Sequence, residues 1–140
     1  MDGDDGGPAL FRLVRFWSRR WARGIAAGGP SLPQHVLVLD AVRAGAEATV
    51  GDVAHQLGLD HSGASRMVAA TADAGYLQRT RARTDARRAV LSLTPAGEEL
   101  LRSSRDWQRS TFVELTASWS QEDRTRFAGY LARLAREVGA

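Results

Sequence analysis

Residues 83–97 read Arg-Thr-Asp-Ala-Arg-Arg-Ala-Val-Leu-Ser-Leu-Thr-Pro-Ala-Gly, and this stretch decides the fold. Within Arg88–Leu93, the residues Ala89, Leu91 and Leu93 alternate with Arg88, Val90 and Ser92, the period of a strand with one buried face. Tyr76–Ala82 supplies a partner strand, so the arginine-rich segment between them becomes the tip of a β-hairpin. Thr94 then stands as an N-cap with Pro95 at the first helical position, where a missing N–H costs nothing. The second strand therefore runs straight into a long helix, expected to reach Ser118.

Two short helices precede the hairpin. Thr49-Val-Gly-Asp52 opens the first, Thr49–Leu57, with Val50, Val53, Ala54 and Leu57 turned inward. Gly58 provides a left-handed turn. Asp60 caps the second, Asp60–Ala74, whose inner side carries Ala64, Met67, Val68 and Thr71. Helix, tight turn, helix and basic hairpin make a winged helix-turn-helix, a shape suited to lie across a nucleic-acid groove.

Further out the pattern stays helical. Ser31-Leu-Pro-Gln34 forms a capping box, followed by Val36, Leu39 and Val42 on one face and a stop at Ala44-Gly45. Leu10, Val14, Trp17 and Trp21 recur at i, i+4, i+7 and i+11 from Ala9 onward, with arginines around the other faces and Gly24 and Gly28-Gly29-Pro30 as terminators. The long helix after Pro95 carries Leu101, Gln108, Phe112, Leu115 and Trp119 in a stripe, and Ser120 caps a last helix bearing Phe127, Tyr130, Leu131, Leu134 and Val138. The expected organisation is a disordered tail over 1–8, an N-terminal dimerisation helix over 9–30, the winged helix-turn-helix over 31–94 and C-terminal dimerisation helices over 95–140. The fold class is mainly α with a small β-hairpin.

The chain has 140 residues and a net charge of +3, and every one of its 19 basic residues is arginine. Five of these (Arg79, Arg81, Arg83, Arg87 and Arg88) fall in the hairpin against the single acid Asp85, a local excess that favours a polyanion. Absence of cysteine excludes a disulfide, a thiolate–metal site and a thiol redox switch. No apolar run approaches the ~20 residues of a membrane span, and the acidic N-terminus is unlike a signal peptide, so a cytoplasmic, nucleoid-associated protein is expected.

The second helix of the pair begins Asp60-His61-Ser62-Gly63-Ala64-Ser65-Arg66. Short polar side chains there suit entry into a major groove. Ser62 and Ser65 can meet base edges or phosphates, His61 can donate to either, and Arg66 has the reach for a bidentate contact. An ordinary surface helix with a polar start has the same composition. The hairpin tilts the balance, because Arg87 at its tip can enter a minor groove. Asp85 either pairs with an arginine and holds it extended or simply makes the turn.

Taken together, Ser31–Gly97 resembles the MarR family of bacterial winged-helix transcriptional regulators, and the flanking helices fit as well. The most specific match is the wing, Asp85-Ala86-Arg87 through Leu93-Thr94-Pro95-Ala96-Gly97. Thr49–Ala54, Leu57-Gly58, Ser65-Arg66 and Ala74–Leu77 match the helix-turn-helix. The resemblance implies a homodimer on double-stranded DNA at a palindromic operator, contacted by His61, Ser62, Gly63, Ser65 and Arg66 from the helix and by Arg83, Asp85, Arg87 and Arg88 from the wing. It also implies, in many members, an effector pocket between the lobes. A repressor released by a small aromatic or phenolic effector is expected, with Trp17, Trp21 and His35 as candidate pocket residues, although the tryptophans are better explained as dimer core and His35 as a half-buried structural histidine. Two departures stand out: His35 where an aromatic or apolar residue is usual, and Gly97 where a complete capping box would have Glu.

Two other readings share the fold. His55 and His61 with Asp52 and Asp60 raise a metal-responsive regulator, although Asp60 is better placed as a cap and His61 as a groove contact. A winged helix serving only as a protein-interaction module is the other, opposed by the wing arginines. A membrane-surface role for the basic first helix, with Trp17 and Trp21, is less favoured because dimerisation explains that helix. No acid–base pair, nucleophile–histidine pair or phosphate-cradling loop is visible, so neither an enzyme nor a bound cofactor is expected.

Overall fold

The computed structural model describes residues 5–26 and 33–140. Six helices and one hairpin follow in the order α1 (Gly6–Ala26), α2 (Pro33–Ala44), α3 (Val50–Leu57), α4 (His61–Asp73), β1 (Leu77–Arg81), β2 (Ala89–Leu93), α5 (Pro95–Leu115) and α6 (Gln121–Glu137). Of these, α3, α4 and α6 begin where their caps put them. The Ser31 capping box and the Gly28-Gly29-Pro30 terminator lie outside the described residues. The chain divides into two units, residues up to Leu101 and Arg102–Ala140.

In the first unit, each helix of the reading pair is started by a side chain. Thr49 Oγ1 accepts from the Asp52 N–H at 3.3 Å while Asp52 Oδ2 accepts from the Thr49 N–H at 2.8 Å, satisfying two donors that a helix start leaves open. Gly58 takes φ 64°, which lets Leu59 N–H reach the Ala54 carbonyl at 2.9 Å and turns the chain toward α4. Asp60 Oδ1 then accepts from the Gly63 N–H at 2.7 Å. An aspartate cap of this kind is worth about 1 kcal/mol.

The core forms where three helices and the hairpin meet. Val36, Val38 and Leu39 of α2, Val53 of α3 and Val68 of α4 are fully buried, with Leu77, Leu91 and Leu101 closing the edge. Each such side chain contributes roughly 1.5–3 kcal/mol by leaving water. β1 and β2 pair antiparallel in the register Leu77↔Leu93 through Arg81↔Ala89. On its other edge β2 gains one further rung, Leu91 N–H to the Ala48 carbonyl at 2.7 Å.

Three local expectations are corrected. α1 begins at Gly6, so Gly6–Pro8 form its first turn rather than part of a tail. Asp5 Oδ1 accepts from the Gly7 N–H at 3.1 Å, and Pro8 needs no partner that early in a helix. Gly24 does not end α1, which runs on to Ala26. In β2, Val90 is buried along with Leu91, while Ala89, expected on the inner face, is exposed.

The second unit is built differently. Arg124 donates from Nε to Thr116 Oγ1 at 3.0 Å and from Nη2 to the Thr116 carbonyl at 2.9 Å, satisfying groups at the end of α5. Ser120 caps α6 by accepting from the Asp123 N–H at 3.1 Å. Phe127 stacks on Phe112 with ring centroids 5.9 Å apart and tilts against Trp119 at 5.2 Å. No residue of α6 is buried. Among the described residues no helix is long and apolar enough to cross a membrane.

Candidate nucleic-acid interface

The exposed start of α4 follows from its inner face. Ala64, Val68 and Thr71 point into the core, so helical spacing turns His61, Ser62 and Arg66 outward, where all three are exposed. Ser65 lies on the flank, half-buried. Among the described residues the Arg66 guanidinium has no bonding partner. Gly63 has a structural reason of its own: its N–H is taken by Asp60, and an added Cβ would lie 2.7 Å from Asp60 Oδ1.

The wing tip spans residues 82–88, between the ends of β1 and β2. Ala82 N–H donates to the Arg88 carbonyl at 2.9 Å, and Arg88 N–H donates to the Asp85 carbonyl at 3.0 Å. Asp85 Oδ1 accepts from the Arg87 N–H at 2.9 Å, so the carboxylate shapes the turn through the backbone and not through a guanidinium ion pair. Of the two roles open to Asp85, the turn is the one observed. Arg81 Nη1 donates to the Ala86 carbonyl at 2.7 Å, which uses one arginine as a brace. The Arg87 side chain has no bonding partner among the described residues and is fully available to an anion. Arg83, Arg87 and Arg88 are all exposed.

Sequence reasoning missed the attachments between wing and helices. Glu47, in the α2–α3 loop, accepts from the Arg83 N–H at 3.0 Å and from the Thr84 hydroxyl at 3.0 Å. Asp52 Oδ2 lies 4.0 Å from Arg88 Nη2; both groups are half-exposed, and such a pair contributes little. The Asp52 carboxyl is held below the usual carboxylate range, first by the Thr49 backbone N–H, then by the Thr49 hydroxyl, with Arg88 and His55 adding smaller effects against desolvation.

His35 is buried, its Nδ1 2.8 Å from Thr71 Oγ1. Because the Thr71 hydroxyl donates to the Met67 carbonyl at 2.9 Å, its oxygen is left to accept, which assigns the proton to His35 Nδ1. Burial pushes the His35 pKa down, favouring the neutral ring, and the ring lies 5.4 Å from that of Tyr76. The unusual histidine is thus a polar strut between α2 and α4. Trp17 packs edge-on to Phe16 at 5.9 Å, and the Trp21 side chain lies outside the described residues. Asp52 and Asp60 both serve as helix-start ligands, and among the described residues no three metal-ligating side chains cluster.

Gly97 is explained by the same junction. Thr94 Oγ1 accepts from the Gly97 N–H at 3.1 Å and donates to the Gly75 carbonyl at 2.5 Å, while Thr94 N–H donates to the Tyr76 carbonyl at 3.1 Å. A Cβ at Gly97 would stand 2.1 Å from that Tyr76 oxygen. A glutamate cannot replace it without moving backbone.

A capped helix pair, a wing continuous with β2 and a Thr-Pro-Ala-Gly helix start that admits only glycine at its fourth position complete the pattern. The MarR family model matches residues 31–88. Over these residues the chain is similar to the MarR family. The likeness in fold extends over nearly the whole chain. A MarR family protein from Bacillus stearothermophilus superposes with a TM-score of 0.75 at 20% identity, covering 95% of this chain and 95% of that one. MarR itself superposes with a TM-score of 0.75 at 22% identity, over 99% of this chain and 94% of its own. A MarR family transcriptional regulator from Silicibacter pomeroyi gives 0.71 at 23% identity, over 94% and 89%. At these identities the solved structures establish the fold alone. No curated protein matches the sequence.

Proposed function

We propose that this chain is a sequence-specific DNA-binding transcriptional regulator that acts as a homodimer on a palindromic operator. The observation that carries the reading is the pairing, within one MarR-like unit, of an exposed polar helix start and an exposed arginine tip. His61, Ser62, Ser65 and Arg66 read the major groove, with Ser65 at its margin. Arg87 enters the adjacent minor groove, where a narrow width strengthens the negative potential. Arg83 and Arg88 contact phosphates, and Asp85 acts through the turn it makes.

The dimer is supported by apolar side chains that their own chain leaves exposed. Tyr130, Leu131 and Leu134 of α6, Val138 just after it, and Leu10, Phe11, Leu13 and Val14 of α1 are exposed, and such faces on helices are ordinarily buried by a partner. Two readers related by a two-fold axis require half-sites about 10 bp apart. Repression, relieved when a small aromatic effector alters that spacing, is the mode we assign. Trp17 and Trp21 on α1 are the effector contacts, while the Nδ1 proton of His35 is already engaged by Thr71.

Fluorescence anisotropy with duplexes selected by the protein from a random-sequence library tests this reading. Arg87→Ala is expected to weaken binding with no loss of folding, since the residue is exposed. Arg66→Ala is expected to cost about 1–3 kcal/mol and relax preference at one position per half-site. Binding that stays unselective at every salt concentration, or an Arg87→Ala protein of unchanged affinity, counts against the proposal.

A further inference from the structure

The wing is held by two kinds of bond, and they do different work. Those from Asp85, Arg81 and Ala82 lie within the hairpin and fix the shape of its tip. They leave open where the tip points relative to α3 and α4. That attitude depends on bonds leaving the hairpin. The Leu91–Ala48 rung anchors β2 below the tip, and the Arg88–Asp52 pair is 4.0 Å apart between exposed groups. Glu47 alone, among the described residues, binds the β1 side of the tip loop, through the Arg83 N–H and the Thr84 hydroxyl at 3.0 Å each.

We propose that Glu47 is the positioning residue of the wing: its carboxylate sets the direction in which Arg87 is presented to DNA. The inference rests on the DNA-binding reading above and deepens it. A carboxylate beside this many arginines weakens attraction for phosphate in general. Its two accepted bonds restrict the tip loop before DNA arrives, so less conformational entropy is lost on binding. Glu47 thus trades some unselective attraction for selectivity, while touching no nucleotide itself.

The test uses the full chain, a duplex selected from a random library and a scrambled duplex of the same composition. Glu47→Ala is expected to lose roughly tenfold in affinity for the selected duplex, the scale of bonds to a charged acceptor moderated by exposure. It should bind the scrambled duplex as well as or better than the parent. Glu47→Gln keeps an acceptor oxygen without the charge and should recover most of the loss. In an Arg87→Ala background, Glu47→Ala should change affinity by less than about twofold, because the aimed group is gone. Thermal melting checks the fold, and Thr84→Val, which removes one bond from the wing side, should lose selectivity in the same sense if Glu47→Ala does not fold. Equal loss on both duplexes, full additivity with Arg87→Ala, or Gln behaving as Ala overturns the role of Glu47. A parent protein that prefers no duplex overturns the DNA reading itself, a separate result.

Discussion

The two units of this chain handle apolar surface in opposite ways. In residues up to Leu101, helices from three directions close on Val36, Leu39, Val53 and Val68 until nothing of them meets water. In Arg102–Ala140 the buried side chains are the polar Ser104, Thr111 and Thr116, while Tyr130 is 66% exposed and Val138 67%. α6 carries an apolar stripe as regular as that of α2, yet none of it is buried. An apolar stripe produces a core only when the rest of the chain supplies a second surface to meet it. Around α2, α3 and α4 the first unit has that surface; α1 and α6, whose apolar side chains stay exposed, we propose, obtain it from another copy.

Three variants break or sharpen this contrast. The largest effect is expected at Gly97, where the first unit has no room: a methyl 2.1 Å from the Tyr76 oxygen should cost about 3 kcal/mol or more by forcing backbone apart. Chemical denaturation of Gly97→Ala measures it, and a neutral result would show that the β1–α5 junction is looser than its hydrogen bonds indicate. Next comes Leu131→Glu with Leu134→Glu. Both positions are about two-fifths exposed, so charges there should shift the reader's own melting by only about 0.5 kcal/mol while halving the mass in solution. Unfolding in place of dissociation would show that the second unit is required for the first to fold. An effect smaller than loss of the dimer belongs to Gly129, where an added Cβ meets nothing within 4 Å. Gly129→Ala should stabilise α6 by about 0.8–1 kcal/mol through helix propensity. A loss would place the dimer contact directly on that glycine.

Much of the site is legible in the sequence. The caps at Thr49, Asp60, Thr94 and Ser120, the left-handed Gly58 and the inward stripe of α4 all follow from residues within four positions of one another. Exposure of His61, Ser62 and Arg66 then follows from the burial of Ala64, Val68 and Thr71 on the opposite side of the same helix. The wing was legible for a similar reason, since a hairpin pairs neighbours in sequence. Asp85 was read with two roles open, because a carboxylate at a tight turn can reach either a guanidinium or a backbone N–H, and only the folded loop distinguishes them.

What the sequence by itself determined, then, is the set of elements and the outward chemistry of the reading helix and wing tip, because caps, turns and amphipathic periods act over one or two helical turns. Tertiary structure alone decided three things. It gave Glu47 its hold on Arg83 and Thr84, 36 and 37 residues away. It turned His35 into a strut on Thr71, 36 residues away, and it made Gly97 obligatory by laying the Tyr76 carbonyl across it. Each depends on two distant segments arriving at the same place. No local pattern encodes that arrival, because the free energy that brings the segments together comes from burial of the shared core and not from the residues that then touch.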